Sequence, residues 1–225
     1  MLMKNLQIKI AYCLLMQLLF CTDIFSQLAV EQEPHHKLLF RNQYIHLLKG
    51  HVAAGDTTLQ HIHAANSAVV FLTKTGYGIQ NTGERATINE VNAGDMLYRA
   101  YGDKPVTHVV WDEGTTAFDF IVVELLQNHT ADSCTLGPVE DLQLQWKNKS
   151  VQAFTLMLHD GQHYTIPASC WAYLLIDIDG NIEANTPSQT NHLKTEDAVY
   201  YRPHTTIMIQ QRNAKNAHCV LLALK

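Results

Sequence analysis

Two histidines separated by one residue, His61 and His63, are the side chains of this sequence best placed to do chemistry. Alternate residues of a strand project to the same face, so a strand over these residues directs both imidazoles one way. Gly55 lies six residues before His61 as the turn that feeds this strand, and His108 follows a second glycine turn around Gly94. Histidine is a frequent metal ligand, so His61, His63 and His108 are predicted to hold a metal ion.

Three imidazole ligands imply a particular charge balance. Neutral imidazoles leave the charge of a divalent ion uncompensated, which favours hydroxide or an anionic substrate at the open coordination positions. Zinc, copper and ferrous iron all accept such ligands. An open position would permit oxygen chemistry on iron or activation of water on zinc. The alternative is that the three histidines are packed core residues, hydrogen-bonded to backbone or hydroxyl groups in an empty barrel.

The elements that must position these side chains are predicted to be strands. Short apolar or alternating runs rich in Val, Ile, Thr, Tyr and Phe are broken by turn residues, including the glycine-rich stretch 76–83, and no run sustains a helical period over three turns. This pattern is typical of an all-β antiparallel sandwich or barrel. The clearest predicted strands cover residues 44–48, 68–73, 96–101, 106–111, 117–126, 153–158, 173–178, 198–202, 206–210 and 218–224.

The strand pattern occurs twice along the chain. Each half begins with an apolar strand that leads to a glycine turn and ends with an apolar strand, which indicates an internal duplication. The predicted organisation is a signal peptide over residues 1–26, an N-terminal domain over 27–127, a linker over 128–150 and a C-terminal domain over 151–225.

The glycine and histidine spacing resembles the two motifs of the cupin superfamily. The first is Gly55-x5-His61-x-His63, followed by a hairpin through Gly76 and Gly78, and the second is Gly94-Asp95 with His108. The resemblance covers roughly residues 38–126 and implies a cupin-type antiparallel β-barrel, or jelly roll. The second half resembles a degenerate cupin without the histidine pair, so two tandem barrels are expected.

In cupins similar to this chain, two histidines and a glutamate of the first motif and a histidine of the second hold iron, manganese, zinc, nickel or copper. His61, His63 and His108 match the imidazole positions, whereas the place of the glutamate falls on Asn66-Ser67. The resemblance implies an exported metal-binding cupin, with a metal-dependent oxygenase acting on a small anionic substrate as one hypothesis. A non-catalytic small-molecule binding protein with an empty or vestigial site is the alternative. A third reading makes the second half a dimerisation or packing partner that covers a sheet edge of the first barrel, so a homodimer stays open.

Other candidate residues are assigned ordinary roles. Either Tyr98 or Tyr101 could line the cavity, although core packing is the default. The pair His35-His36 is predicted to lie in a mobile terminus. His159 and His163 flank a turn and are predicted to be on the surface.

Composition and the leader limit the partners. The 225 residues are 47% hydrophobic, and 16 Lys and Arg face 21 Asp and Glu, a charge of -5 that argues against nucleic acid as a partner. Lys4 and Lys9 precede an apolar run over 10–20, and cleavage is expected before Gln27. This is the pattern of a signal peptide, which predicts a secreted or periplasmic protein. The run is too short for a membrane span. Cys21 offers a lipoprotein alternative that Phe20 disfavours.

The three cysteines beyond the leader are Cys134, Cys170 and Cys219. They allow at most one internal disulfide in an oxidising compartment. The alternative is that all three are buried as small apolar side chains.

Overall fold

The computed structural model describes residues 27–128, 142–212 and 216–225. These residues form strands, turns and one short 3-10 turn, Val30–Gln32, with no α-helix among them. Across those same ranges, no helix has the length and apolar character needed to cross a membrane. The predicted signal peptide and Cys134 lie outside the described residues.

The first half folds into two five-stranded sheets, in the orders β1-β4-β9-β6-β7 and β2-β3-β10-β5-β8. Its strands are β1 (Leu28–Ala29), β2 (His36–Arg41), β3 (Ile45–Val52), β4 (His61–His63), β5 (Asn66–Phe71), β6 (Thr75–Asn81), β7 (Thr87–Val91), β8 (Met96–Arg99), β9 (Val106–Asp112) and β10 (Phe118–Leu125). All the pairings are antiparallel except that of β1 with β4.

The second half repeats this plan with a five-stranded sheet, β11-β12-β19-β14-β17, and a four-stranded sheet, β13-β18-β15-β16. Its strands are β11 (Gln143–Lys147), β12 (Val151–Leu158), β13 (His163–Ile166), β14 (Ala172–Asp179), β15 (Asn181–Asn185), β16 (Thr190–Lys194), β17 (Ala198–Tyr201), β18 (Ile207–Gln211) and β19 (Ala217–Leu224). The prediction of an all-β protein with two successive jelly rolls is therefore confirmed. Strand β11 lies within the segment that the sequence marked as a linker.

The two halves share a buried core. Residues such as Ile121 and Val123 of β10 pack in the same cluster as Leu174 of β14 and Leu222 of β19. The other face of β10 points into the first barrel, so every residue from Phe118 to Glu124 is buried. The second half thus covers a sheet face of the first barrel, not a sheet edge as the packing hypothesis expected.

Cysteine use differs from one of the two expectations. Cys170 is disulfide-bonded, and Cys219 is buried as a free thiol. The interpretation of all three cysteines as small apolar core residues is therefore wrong, whereas the limit of one internal disulfide is consistent with the structure.

Candidate metal centre

The three predicted histidines meet inside the first barrel. His61 and His63 lie on β4, and His61 is paired across the sheet with His108 of β9. The ring centroids are 4.7 Å apart for His61 and His108, 4.9 Å for His63 and His108, and 5.1 Å for His61 and His63. All three side chains are buried. The alternation along β4 places both of its imidazoles on the inner face, as the sequence predicted.

His36, at the start of β2, is a fourth imidazole that the sequence analysis did not assign to the site. Its ring centroid lies 4.9 Å from that of His61 and 6.2 Å from that of His63. One nitrogen from each of these three histidines falls within 4.8 Å of the others. Nitrogens bound to one ion at about 2.0–2.1 Å would lie up to roughly 4.2 Å apart, so small side-chain movements would bring this set onto an ion.

The prediction that His35-His36 lies in a mobile terminus is wrong. The segment before β2 is held by Val30 in the first barrel's core and by Glu33, which is 1% exposed. The Glu33 carboxylate accepts hydrogen bonds from both imidazoles, each at 2.7 Å, and from the backbone N–H of Leu59 at 3.0 Å. These contacts place His36 inside the barrel.

Hydrogen bonds fix the orientation of two of the imidazoles. His36 Nδ1 donates to Glu33 Oε2 at 2.7 Å, and His61 Nδ1 donates to the carbonyl oxygen of Leu59 at 2.8 Å. Both acceptors lack a proton to give, so each of these two rings carries its proton on Nδ1 and has an unprotonated Nε2. The Nε2 atoms of His61 and His108 are 3.1 Å apart.

Two nitrogens of the cluster have no hydrogen-bond partner. They are the buried Nδ1 atoms of His63 and His108. A buried polar atom without a partner is costly unless something else satisfies it. Ion binding by these rings would therefore fit the donor set, since neutral imidazole nitrogens are ligands for first-row divalent metals.

The barrel interior holds these imidazoles in the neutral form that metal binding requires. Burial lowers the pKa of His61 to about 4. Burial and the neighbouring imidazoles lower the pKa of His63 to about 2 and of His108 to about 3. For Glu33, burial alone would raise the pKa, but the hydrogen bonds from His36 and His35 outweigh it and hold the pKa at about 2. Glu33 is thus an ionised acceptor behind His36.

The four imidazoles line a cavity of about 60 Å³. Tyr101 and Arg99 also line it, together with apolar side chains such as Phe120 and Val122. The Tyr101 ring lies 5.7 Å from that of His63, whereas Tyr98 packs against Trp146 at 6.0 Å. Of the two tyrosines, Tyr101 is therefore the one in the cavity.

The positions where the resemblance to cupins implies a glutamate carry no ligand for the cluster. Asn66 Oδ1 accepts a hydrogen bond from the backbone N–H of Gly102 at 2.8 Å, and the Ser67 hydroxyl donates to the carbonyl oxygen of Ala65 at 3.1 Å. A carboxylate lies on the neighbouring strand, where Glu124 of β10 is the cross-strand partner of Ser67. Glu124 is buried, and its Oε1 lies 4.0 Å from His63 Nδ1.

Sequence reasoning missed His36, Glu33, Arg99 and Glu124. The position of His36 depends on its pairing with Gly50 of β3 and on its hydrogen bond to Glu33, and the local sequence pattern reveals neither. Arg99 ends a strand that was predicted, and its inward direction could have been read from alternation with Leu97, another cavity residue. His159 and His163 are exposed, as predicted.

No protein-family model matches the sequence, and no curated protein matches it. Solved structures do share its fold. AerE from Microcystis aeruginosa is 10% identical with a TM-score of 0.63, over 86% of this chain and 98% of AerE. The cupin 2 conserved barrel domain protein from Leptotrichia buccalis is 9% identical with a TM-score of 0.54, over 84% of this chain and 88% of that protein. A salicylate 1,2-dioxygenase from Pseudoaminobacter salicylatoxidans is 10% identical with a TM-score of 0.56, over 80% and 71%. The chain therefore has the fold of the cupin superfamily, built as two successive jelly rolls.

Proposed function

We propose that the first barrel binds a divalent metal ion through His61, His63 and His108, with His36 as a fourth imidazole. The observation that carries this proposal is the convergence of four buried imidazoles on one cavity. Two of them are oriented by Nδ1 hydrogen bonds, and two have buried nitrogens without partners. A bound ion would supply Lewis-acid or, for iron, oxygen chemistry at an open coordination position.

We further propose a small anion as the substrate class, and a metal-dependent oxygenase as the activity. The imidazoles contribute no negative charge, and Arg99 adds a guanidinium to the cavity lining, so the site favours an anion. The cavity of about 60 Å³ suits a small molecule. The salicylate 1,2-dioxygenase with the same fold is named for a carboxylate substrate.

Different residues of the cavity lining would bind the substrate and exclude water. Arg99 would bind and orient the anion, because a guanidinium matches a carboxylate with two parallel donors. Tyr101 would line the substrate's place with a ring 5.7 Å from that of His63 and 6.5 Å from that of His108. The apolar lining, which includes Phe120, Val122 and Leu97, would exclude water and strengthen these interactions.

A non-catalytic binding protein is the second candidate. The observation that favours it is the absence of a carboxylate ligand at Asn66 and Ser67. In this case the barrel would bind a small molecule without turning it over, and the imidazole cluster would be vestigial.

Elemental analysis of the protein, purified without nickel resin, tests the metal site. Near-stoichiometric metal that disappears in His61→Ala and His108→Ala is expected. His163→Ala, which changes an exposed histidine, should leave the metal content unchanged. Metal-free wild-type protein, with stability unchanged in the two site variants, would contradict the proposal. Oxygen consumption with small carboxylates then separates the oxygenase from the binding protein.

Export is proposed from the leader alone. The basic residues and apolar run of residues 1–26 support a secreted or periplasmic location. Fractionation of cells that express the full chain, with N-terminal sequencing of the product, should find a chain that starts at Gln27. A product retaining Met1 inside the cell would contradict export.

A further inference from the structure

A second group of metal-ligating side chains lies beside the imidazole cluster. It consists of Glu31 in the 3-10 turn, His46 of β3 and Glu124 of β10. His46 and Glu124 are direct partners across the β3–β10 pairing. One ligand atom from each of the three residues falls within 4.8 Å of the others. The geometry thus brings two carboxylates and an imidazole to one point.

The two carboxylates of this group share a single imidazole. His46 Nδ1 contacts the Glu31 carboxylate and lies 3.3 Å from Glu124 Oε2. A single Nδ1–H cannot fully satisfy two carboxylates. Glu124 is buried, so little water offsets the repulsion between its carboxylate and that of Glu31. A cation bound between the carboxylates would relieve both penalties.

An unpartnered nitrogen also points toward this group. His63 is 4% exposed, its Nδ1 has no hydrogen-bond partner, and Glu124 Oε1 lies 4.0 Å away. Glu124 therefore presents one oxygen toward His63 and the other toward His46. Its carboxylate stands between the imidazole cluster and the second group.

We propose that Glu31, His46 and Glu124 form a second divalent-cation site, with Glu124 lying between it and the imidazole cluster. Two carboxylates neutralise a divalent ion, and oxygen-rich sites with one imidazole accept Mn²⁺ well. The imidazole cluster, by contrast, leaves the charge of its ion free for an anion. The second site depends on its own three residues and does not require the first to be occupied.

Mn²⁺ titration of the metal-free full chain, followed by the electron paramagnetic resonance signal of free Mn²⁺, tests the site. Wild type is expected to bind two equivalents. Glu31→Gln and His46→Ala should each lose one equivalent or bind it roughly tenfold or more weakly. His192→Ala is the matched control, because exposed His192 has its Nδ1 3.3 Å from Glu183 Oε2 and no third metal-ligating side chain joins this pair among the described residues. It should bind two equivalents.

The same titration separates this inference from the proposed function. If His61→Ala loses one equivalent and keeps the one removed by Glu31→Gln, both sites stand. A single wild-type equivalent, lost in His61→Ala and unchanged in Glu31→Gln and His46→Ala, would overturn the second site and leave the first. A single wild-type equivalent that is lost only in Glu31→Gln and His46→Ala would overturn the imidazole site and leave the second site. Circular dichroism of the near-isosteric Glu31→Gln variant checks that the fold is retained.

Discussion

Glu33 is the residue on which the orientation of His36 depends. Its carboxylate accepts the Nδ1–H of His36, the Nδ1–H and backbone N–H of His35, and the backbone N–H of Leu59. In metal sites, an acceptor behind a ligating imidazole fixes the tautomer and raises the basicity of the other nitrogen. Glu33 is therefore a positioning residue for the proposed imidazole site.

Glu33→Gln is expected to weaken metal binding by about 10–100-fold, because the amide supplies one acceptor oxygen where the carboxylate supplied two. Competition with a chromophoric chelator measures this affinity. Asp56→Asn is the control, since Asp56 contacts His35 from an exposed position and does not touch His36. Equal affinities for wild type and Glu33→Gln would show that His36 does not contribute to the site.

Asp177 of β14 is a buried acid without a partner for either oxygen atom. Burial, with the nearby charges of Asp179 and Asp197, raises its pKa to about 7. A folded-state pKa above the ordinary value favours the protonated acid. The stability that protonated Asp177 contributes is thus complete at pH below about 4 and is lost as the pH rises through 7.

Asp177→Asn is therefore expected to stabilise the protein by about 2–4 kcal/mol at pH 8, and to change its stability little at pH 4. Urea unfolding at the two pH values measures the difference. Asp160→Asn changes an exposed acid in a turn and should have no such pH dependence. An Asp177→Asn variant that is no more stable than wild type at pH 8 would contradict the raised pKa.

At the residue scale, the sequence predicted the inward direction of His61 and His63 because strand alternation and glycine turns are local signals. The convergence of His108 followed from its place after the second turn. Glu124 could not be predicted, because its approach to His63 depends on which faces of two different sheets form the barrel interior.

Among the elements, β3 is shaped by one glycine. A Cβ built on Gly50 would lie 2.2 Å from the ring of Phe120, which packs edge-on against His36 at 5.5 Å. The absence of a side chain at Gly50 therefore lets Phe120 of β10 lie across β3 and reach the site. This close approach explains a glycine within a buried strand.

Gly50→Ala is expected to destabilise the protein by about 1–3 kcal/mol, because the phenylalanine ring or the backbone must shift. Chemical denaturation provides the measurement. Gly76→Ala, in β6, is the control: its nearest contact would be an ordinary 3.5 Å from Glu113 Cβ, so its effect should stay within about 1 kcal/mol. Similar effects for the two substitutions would contradict the crowding at Phe120.

The strands that could be predicted are the apolar and alternating ones, such as β5, β9, β10 and β19. The sequence predicts turn residues over the glycine-rich stretch 76–83, but most of this stretch belongs to β6, where Gly78 accommodates the Trp111 ring. Strand β11 was missed because it is a mostly exposed edge strand with polar residues. Such strands lack a buried face and therefore lack the alternation of apolar and polar residues by which strands are predicted.

At the scale of the whole molecule, the shared core predicts cooperative unfolding. Leu222→Ala, in the cluster between the halves, is expected to cost about 2–5 kcal/mol and to lower the transition temperature of both halves together. Calorimetry should show one transition. Leu144→Ala, at an exposed leucine of β11, should change stability by less than about 0.5 kcal/mol. Two separate transitions, of which only the second shifts, would contradict a common core.

The duplication could be predicted from repeated texture, but the face-to-face packing could not. The apolar runs at β10 and β19 predict a strand at the end of each half, but not which surfaces cover the two faces of that strand. The packing of one half on the other consists of long-range contacts, and hydrophobic periodicity and turn residues are local signals that do not predict such contacts.

β10 lines the proposed site with one face and holds the second half with the other. Random mutagenesis should consequently recover many temperature-sensitive alleles between residues 151 and 224, far from any ligand, whose phenotypes vanish on cooling. The second half, whose sequence contains no His-x-His pair, would then serve the site by covering the outer face of β10.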